Sequence, residues 1–201
     1  MRIEIRGNQV LLDGYVNAVG RESRILPSQR GPFKEQVVPG TFQKALDKTD
    51  NVDLLFNHLE SRKLGSTSEG NLQLFEDNIG LRAIAKVFDE EIINKAKNGE
   101  LRGWSFSFAD NNQNWKENED GIYRRFLDDI DLFEVSILDK TPAYVATSIE
   151  ARGEEHVIKE NRGYENKALT EDLTPKEDEV REVDYSLYEK EIEFIKLRGG
   201  H

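Results

Sequence analysis

Residues 101–110 read LRGWSFSFAD, with Trp104, Phe106 and Phe108 at every second position and Ser105 and Ser107 in the gaps. A repeat of two is the period of a strand, in which successive side chains point to opposite faces. The three rings therefore share one face, and Gly103, Ser105 and Ser107 share the other. One face asks for a core, because each aromatic side chain takes on the order of 150–250 Å² out of water. The other offers small hydroxyls with room beside them, which suits either close strand packing or the floor of a site.

A strand of this kind needs partners, and the chain supplies them. IEIRG and QVLLDGYVNAVG flank the turn dipeptide Gly7-Asn8, which predicts a hairpin. After an irregular stretch over 26–40, TFQKALDKT places Thr41 as an N-cap and Phe42, Ala45 and Leu46 at helical spacing. NVDLLFNH reads as a strand ending in a polar pair, and NLQLFEDNIGLRAIAKV as a hairpin turning at Asp77 to Gly80. DEEIINKAKNGEL is a helix with acids in its first turn and Gly99 near its end. NWKENEDGIYRRFLDD then reads as another hairpin, and DLFEVSILDKTPAY as a strand halted by Pro142. The expected fold is α+β: a compact, mostly antiparallel β-barrel flanked by a few short helices.

Near residue 150 the composition changes. The stretch from Ala151 onward is polar, acidic and poor in large apolar residues, so the boundary falls between a folded domain over 1–150 and a flexible acidic tail over 151–201. Within the tail, YSLYEKEIEFIKLR sets Tyr188, Ile192 and Ile195 at helical spacing and predicts a short amphipathic helix.

Several function classes drop out at this stage. A net charge of −11 lacks the basic face that phosphate binding needs, so nucleic acid is not an expected partner. With no cysteine there is no disulfide framework, thiol nucleophile or cysteine-held zinc. The opening MRIEIRGNQV lacks the apolar run of a signal peptide, and no stretch approaches the roughly 18–20 apolar residues of a membrane span, so an intracellular protein without a membrane partner is expected. Scattered acids around a single body histidine give no metal-ligand spacing, and no glycine-rich phosphate loop follows a strand, so no metal or cofactor is expected.

Of three histidines, His156 and His201 fall in the tail, leaving His58. A hydroxyl nucleophile needs a base, commonly an imidazole, and by elimination that role falls to His58. The alternative is a histidine that merely caps a strand end. Ser105 and Ser107 are the candidate hydroxyls, although alternating serines also serve strand packing, and GxSxS is not the strand-to-helix elbow of α/β-hydrolases. An imidazole base also needs an orienting acid. Glu134 is flanked by apolar strand residues and alternates with Leu132 and Ser136, so it is half-buried and needs a partner: the histidine, or a cross-strand arginine such as Arg125 or Arg82. Asp128, Asp129 and Asp131 belong to a solvated turn.

Five segments in order resemble the prohead proteases of tailed phages, relatives of the herpesvirus assemblins: VVPGTFQKAL, VDLLFNHLESRKLGST, DNIGLRAIAKV, GWSFSF and LFEVSILDKTPAYVATSI. Each alone is weak, whereas the ordered set across nearly all of 1–150 is specific. The resemblance implies a serine endopeptidase on a herpesvirus-protease-like barrel, with the catalytic set His58, Ser105 and Glu134. Where Ser107 stands family members often carry glycine, so both serines stay in view as nucleophile. It also implies action within the procapsid in the host cytoplasm, on major capsid protein and scaffold protein, with self-association and cleavage of its own tail as further expectations. A non-catalytic capsid assembly or scaffolding protein on the same fold is the alternative.

Overall fold

The computed structural model describes residues 1–112, 114–118, 120–139, 147–152, 155–165 and 168–174. The chain begins with the expected hairpin, β1 (Arg2–Arg6) and β2 (Gln9–Ala18), turning at Gly7 with φ of 61°. A second hairpin, β6 (Leu72–Glu76) and β7 (Gly80–Val87), joins it, and β14 (Leu169–Asp172) adds to β1 in parallel, giving the order β14-β1-β2-β7-β6. Alternation does its work here: Ile3, Ile5, Val10, Leu12, Ala83 and Ala85 turn inward and are completely buried.

Two helices pack on the sheets. In α1 (Thr41–Lys48) Phe42 and Ala45 are buried as their spacing predicted. Thr41 does not cap it: the N-cap is Gly40, and the Thr41 hydroxyl donates instead to the Leu127 carbonyl at 3.0 Å. The free helix amides are met from outside, since Glu76 accepts from the Gly40 and Gln43 N–H groups at 2.6 and 2.9 Å, a carboxylate where the helix dipole favours one. The second helix, α2 (Glu90–Lys97), follows the local rules, with Asp89 accepting from the Ile92 N–H, acids in its first turn and Gly99 left-handed at its end.

The irregular stretch over 26–40 hides β3 (Phe33–Val37), which pairs in parallel with β10 (Tyr123–Leu127); β9 (Asn114–Lys116) completes a three-stranded sheet with the expected β9–β10 pairing. The largest sheet carries the aromatic strand with Ser105 and Ser107. Its order is β12-β13-β8-β11-β4-β5, from β4 (Asp53–Phe56), β5 (Leu59–Ser66), β8 (Gly103–Asp110), β11 (Ile130–Leu138), β12 (Thr147–Arg152) and β13 (Glu155–Glu165). Trp104, Phe106 and Phe108 are each completely buried, with Phe106 edge-on to Phe42 at 5.3 Å and stacked on Phe108 at 5.1 Å. Gly14 on β2 permits the approach, because a β-carbon there would meet the Trp104 indole nitrogen at 3.0 Å.

The architecture is therefore mixed α+β, mostly antiparallel sheet with two helices among the described residues. Their strand pairing forms three open sheets and no closed ring. The polar segment after Ile149 is not free of structure: residues 155–160 pair with β12, residues 160–165 lie along β8 and residues 169–172 along β1. Composition does not announce β13, because it brings charged side chains to buried charged partners: Arg162 to Glu35, and Glu160 to Arg125. The stretch 185–198, with its expected helix, and His201 lie outside the described residues. No described helix is long and apolar enough to cross a membrane.

Phe106→Ala is expected to cost about 3–5 kcal/mol, since it opens a cavity between Phe42 and Phe108 that neither ring can fill. Urea unfolding measures this directly, and a loss below about 1 kcal/mol would contradict the rigid platform assigned to β8.

Candidate active site

Strand β4 ends at Phe56 and β5 begins at Leu59, so Asn57 and His58 form a two-residue hairpin loop. Both have positive φ, 54° and 61°, the combination a tight primed turn requires and one that costs a β-carbon-bearing residue on the order of 1–2 kcal/mol. Surrounding bonds hold it there. The Asn57 side-chain amide donates to Asp139 at 2.9 Å, Asp139 is paired with Lys95 of α2 at 3.0 Å, and the His58 backbone N–H donates to Ser136 Oγ at 3.1 Å. The turn fixes the imidazole over the face of β8 opposite the aromatics.

There the three sequence-selected side chains meet. His58 Nε2 lies 2.7 Å from Ser105 Oγ, and His58 Nδ1 lies 2.5 Å from Glu134 Oε1. Register explains the meeting: on β11, Glu134 stands opposite Ser107 and Ser136 opposite Ser105, while β4 runs beside β11 and delivers the turn. Strict alternation would have put Leu132 on that same face. A bulge between Leu132 and Glu134 adds Phe133, so Leu132 turns into the core opposite Phe108 while Glu134 faces the histidine.

The Glu134 carboxylate accepts three bonds, from His58 Nδ1, from Ser107 Oγ and, at 2.7 Å, from Ser136 Oγ. Arginine does not serve it: Arg82 forks onto Asp13 at 2.8 and 2.7 Å, and Arg125 serves Asp110, Glu35 and Glu160. Ser107 stands on the wrong side of the ring to act through the same nitrogen as Ser105, since its oxygen is 3.5 Å from Nδ1 and hydrogen-bonded to Glu134 and Asn161. Sequence reasoning missed Ser136, Asn57 and Asn161, which orient the others. Ser136 alone carried a signal, its place on the Glu134 face.

The expected open serine is covered. Ser105 is 2% exposed, because β13 pairs along β8 with Gly163 opposite it, and the Arg162 carbonyl oxygen lies 2.8 Å from its Oγ. A buried ion cluster fastens this strand. Arg162 bonds Glu35 through Nε at 2.6 Å and Nη2 at 2.8 Å, and Arg125 grips Glu160 at 2.6 and 2.5 Å. Burial pushes the Glu160 carboxyl up, but the Arg125 hydrogen bonds and the Arg162 charge outweigh it and hold it below its ordinary 4.5. A carboxyl lowered in the folded state stabilises above its unfolded value and loses that contribution as pH falls. Glu160→Gln should therefore cost about 3–5 kcal/mol at pH 7, with the gap in melting temperature to wild type closing as pH drops below 4.5. A gap independent of pH would contradict the charge assignment.

A hydroxyl, an imidazole and a carboxylate in one hydrogen-bonded line, mounted on rigid strands, is the arrangement hydroxyl-nucleophile hydrolases use to move a proton off the nucleophile. Residues 1–160 match the caudovirus prohead serine protease family, and the chain belongs to it, as its ordered motifs implied. No curated protein and no solved structure matches the chain.

Proposed function

We propose that this chain is a serine endopeptidase of capsid maturation, with Ser105 as nucleophile, His58 as general base and acid, and Glu134 as the group that orients and charge-stabilises the imidazole. The observation that carries the reading is the unbroken line Glu134–His58–Ser105, with 2.5 and 2.7 Å between its members. Ser105 Oγ attacks the carbonyl carbon of an extended peptide while His58 Nε2 takes its proton. His58 then gives that proton to the departing amine nitrogen as the C–N bond breaks, leaving an ester on Ser105. Water attacks the ester, His58 again takes the proton and returns it to Oγ, and the acid product leaves. Glu134 holds Nδ1–H in place throughout. No cofactor enters these steps.

The substrates on this reading are the arms of major capsid protein and scaffold protein, and the chain's own tail. The site of action is the procapsid in the host cytoplasm, where self-association would raise local concentration. The packing of β2 on β8 and β13 supports a compact barrel of the kind the resemblance implies. The test is intact mass of capsid and scaffold proteins of the same virus after co-expression with wild type or Ser105→Ala. Trimming by wild type alone supports the endopeptidase. Identical masses in both would hand the function to the second reading, a non-catalytic assembly protein, which the burial of Ser105 favours.

A further inference from the structure

Strand β8 has two neighbours, and only β13 can be exchanged without removing a member of the Glu134–His58–Ser105 line, its Asn161 reaching that line only through Ser107. β11 supplies Glu134 and Ser136, whereas β13 supplies neither His58, Ser105 nor Glu134. Proteases commonly bind substrate as an added strand, held by main-chain bonds with alternate side chains in pockets. β13 already has that form: an extended segment antiparallel to the serine strand, with one backbone carbonyl oxygen 2.8 Å from Ser105 Oγ. That carbonyl belongs to Arg162, and the peptide bond beyond it leads to Gly163.

The Arg162 side chain marks a pocket. It stands opposite Phe106, its guanidinium carbon lies 5.2 Å from the Phe108 ring centre, and it forks onto Glu35, itself 4% exposed. Glu35 belongs to β3, so the acid is built into the body of the protein and the strand merely brings the cation. Arg125 does not replace that cation: it reaches Glu35 Oε2 by one bond of 3.2 Å and stays forked onto Asp110 through Nε and Nη2, so when β13 departs, taking Glu160 with it, Glu35 Oε1 loses the partner that Arg162 Nε gives it. A buried carboxylate without its cation is costly, so whichever peptide displaces β13 is favoured if it carries a guanidinium or ammonium at the same place.

Resting on the endopeptidase reading, we propose that residues 160–165 occupy the peptide-binding groove, that the bond presented to Ser105 is Arg162–Gly163, and that Glu35 makes the enzyme select an arginine or lysine immediately before the bond it cuts. In the step itself Ser105 Oγ bonds to the Arg162 carbonyl carbon, the bond to Gly163 nitrogen breaks, that nitrogen leaves with the proton carried by His58, and water regenerates Ser105 and frees the Arg162 carboxylate. Until it is cut or displaced, the strand denies other peptides the groove.

The test offers the full-length protein two synthetic peptides of sequence EHVIKENRGYENKALT, one as written and one with citrulline, the uncharged analogue of arginine, at the position of Arg162. Mass spectrometry reads the bond cut and the two rates. The expected result is cleavage between the arginine and glycine, slower for citrulline by at least about 10²-fold, since a site built around a charged hydrogen-bonding group rejects its neutral analogue. Glu35→Gln should erase that ratio. Because this change removes a buried charge and risks the fold, the citrulline ratio with unaltered enzyme decides. Equal rates, or cleavage at another bond, overturn the groove and pocket while leaving the endopeptidase intact. So does an untouched pair of peptides beside capsid protein trimmed in a Ser105-dependent way. If nothing is cut in either experiment, both readings fall together.

Discussion

Ser105→Ala is expected to lower cleavage of capsid or scaffold protein by about 10⁶-fold, the scale on which removal of the nucleophile from a hydroxyl–imidazole–carboxylate unit acts, whereas Ser107→Ala should retain measurable activity. The two residues are two positions apart on one strand face, yet the imidazole separates their roles. Ser105 Oγ meets Nε2 at 2.7 Å, and Ser107 Oγ lies on the Nδ1 side at 3.5 Å, bonded to the carboxylate. A base can take a proton only from the hydroxyl that its free lone pair faces, and Glu134 occupies Nδ1. Initial rates on purified substrate, with circular dichroism to confirm folding, separate the variants. If Ser107→Ala is the dead variant and Ser105→Ala the live one, the nucleophile is Ser107 and the imidazole must turn over to reach it.

How far the sequence reached follows the range of the forces involved. Local rules placed the β1–β2 hairpin, the Asp89 cap of α2 and the aromatic face of β8, because periodicity and turn chemistry decide them within a few residues. Non-local bonds overrode the same rules at Thr41, whose hydroxyl was drawn to Leu127 while Glu76 from another strand satisfied the helix start. The edge strand β5, reading LESRKLGS with half of its side chains exposed, has no apolar alternation to announce it. Nor has β13, whose charges look like solvent-facing residues until Glu35 and Arg125 are found opposite them. The bulge at Phe133 is silent in sequence because apolar residues lie on both sides of it. Of the site, the three residue types were legible by elimination, alternation and burial. Their convergence was not, since it depends on β4 running beside β11 and on a strained Asn57–His58 turn.

Glu134→Ala is expected to cost about 10⁴-fold in kcat, as loss of the orienting acid does in sites of this kind, and Glu134→Gln about 10²-fold. The difference between the variants comes from the three donors that converge on the carboxylate. Alanine leaves His58 Nδ1–H and Ser136 without this acceptor and Ser107 to Asn161 alone, freeing the ring to rotate and to move its proton to Nε2, where it blocks proton transfer from Ser105. Glutamine has one acceptor oxygen and one NH2 group to place. Turning the NH2 toward His58 would confront both Nδ1–H and the Ser107 hydroxyl, whereas turning it toward the other side confronts Ser136 alone, and a hydroxyl can rotate to accept. The amide oxygen therefore stays on His58 and keeps the productive tautomer, while the negative charge that stabilises the imidazolium is lost. Nitrogen-15 NMR of the histidine ring reads this apart from any loss of stability: Nδ1 should remain the protonated nitrogen with glutamine and not with alanine. Equal kcat in wild type and both variants would remove Glu134 from the site, and the positioning role would pass to Ser136, the remaining side chain bonded both to the His58 backbone and to this carboxylate.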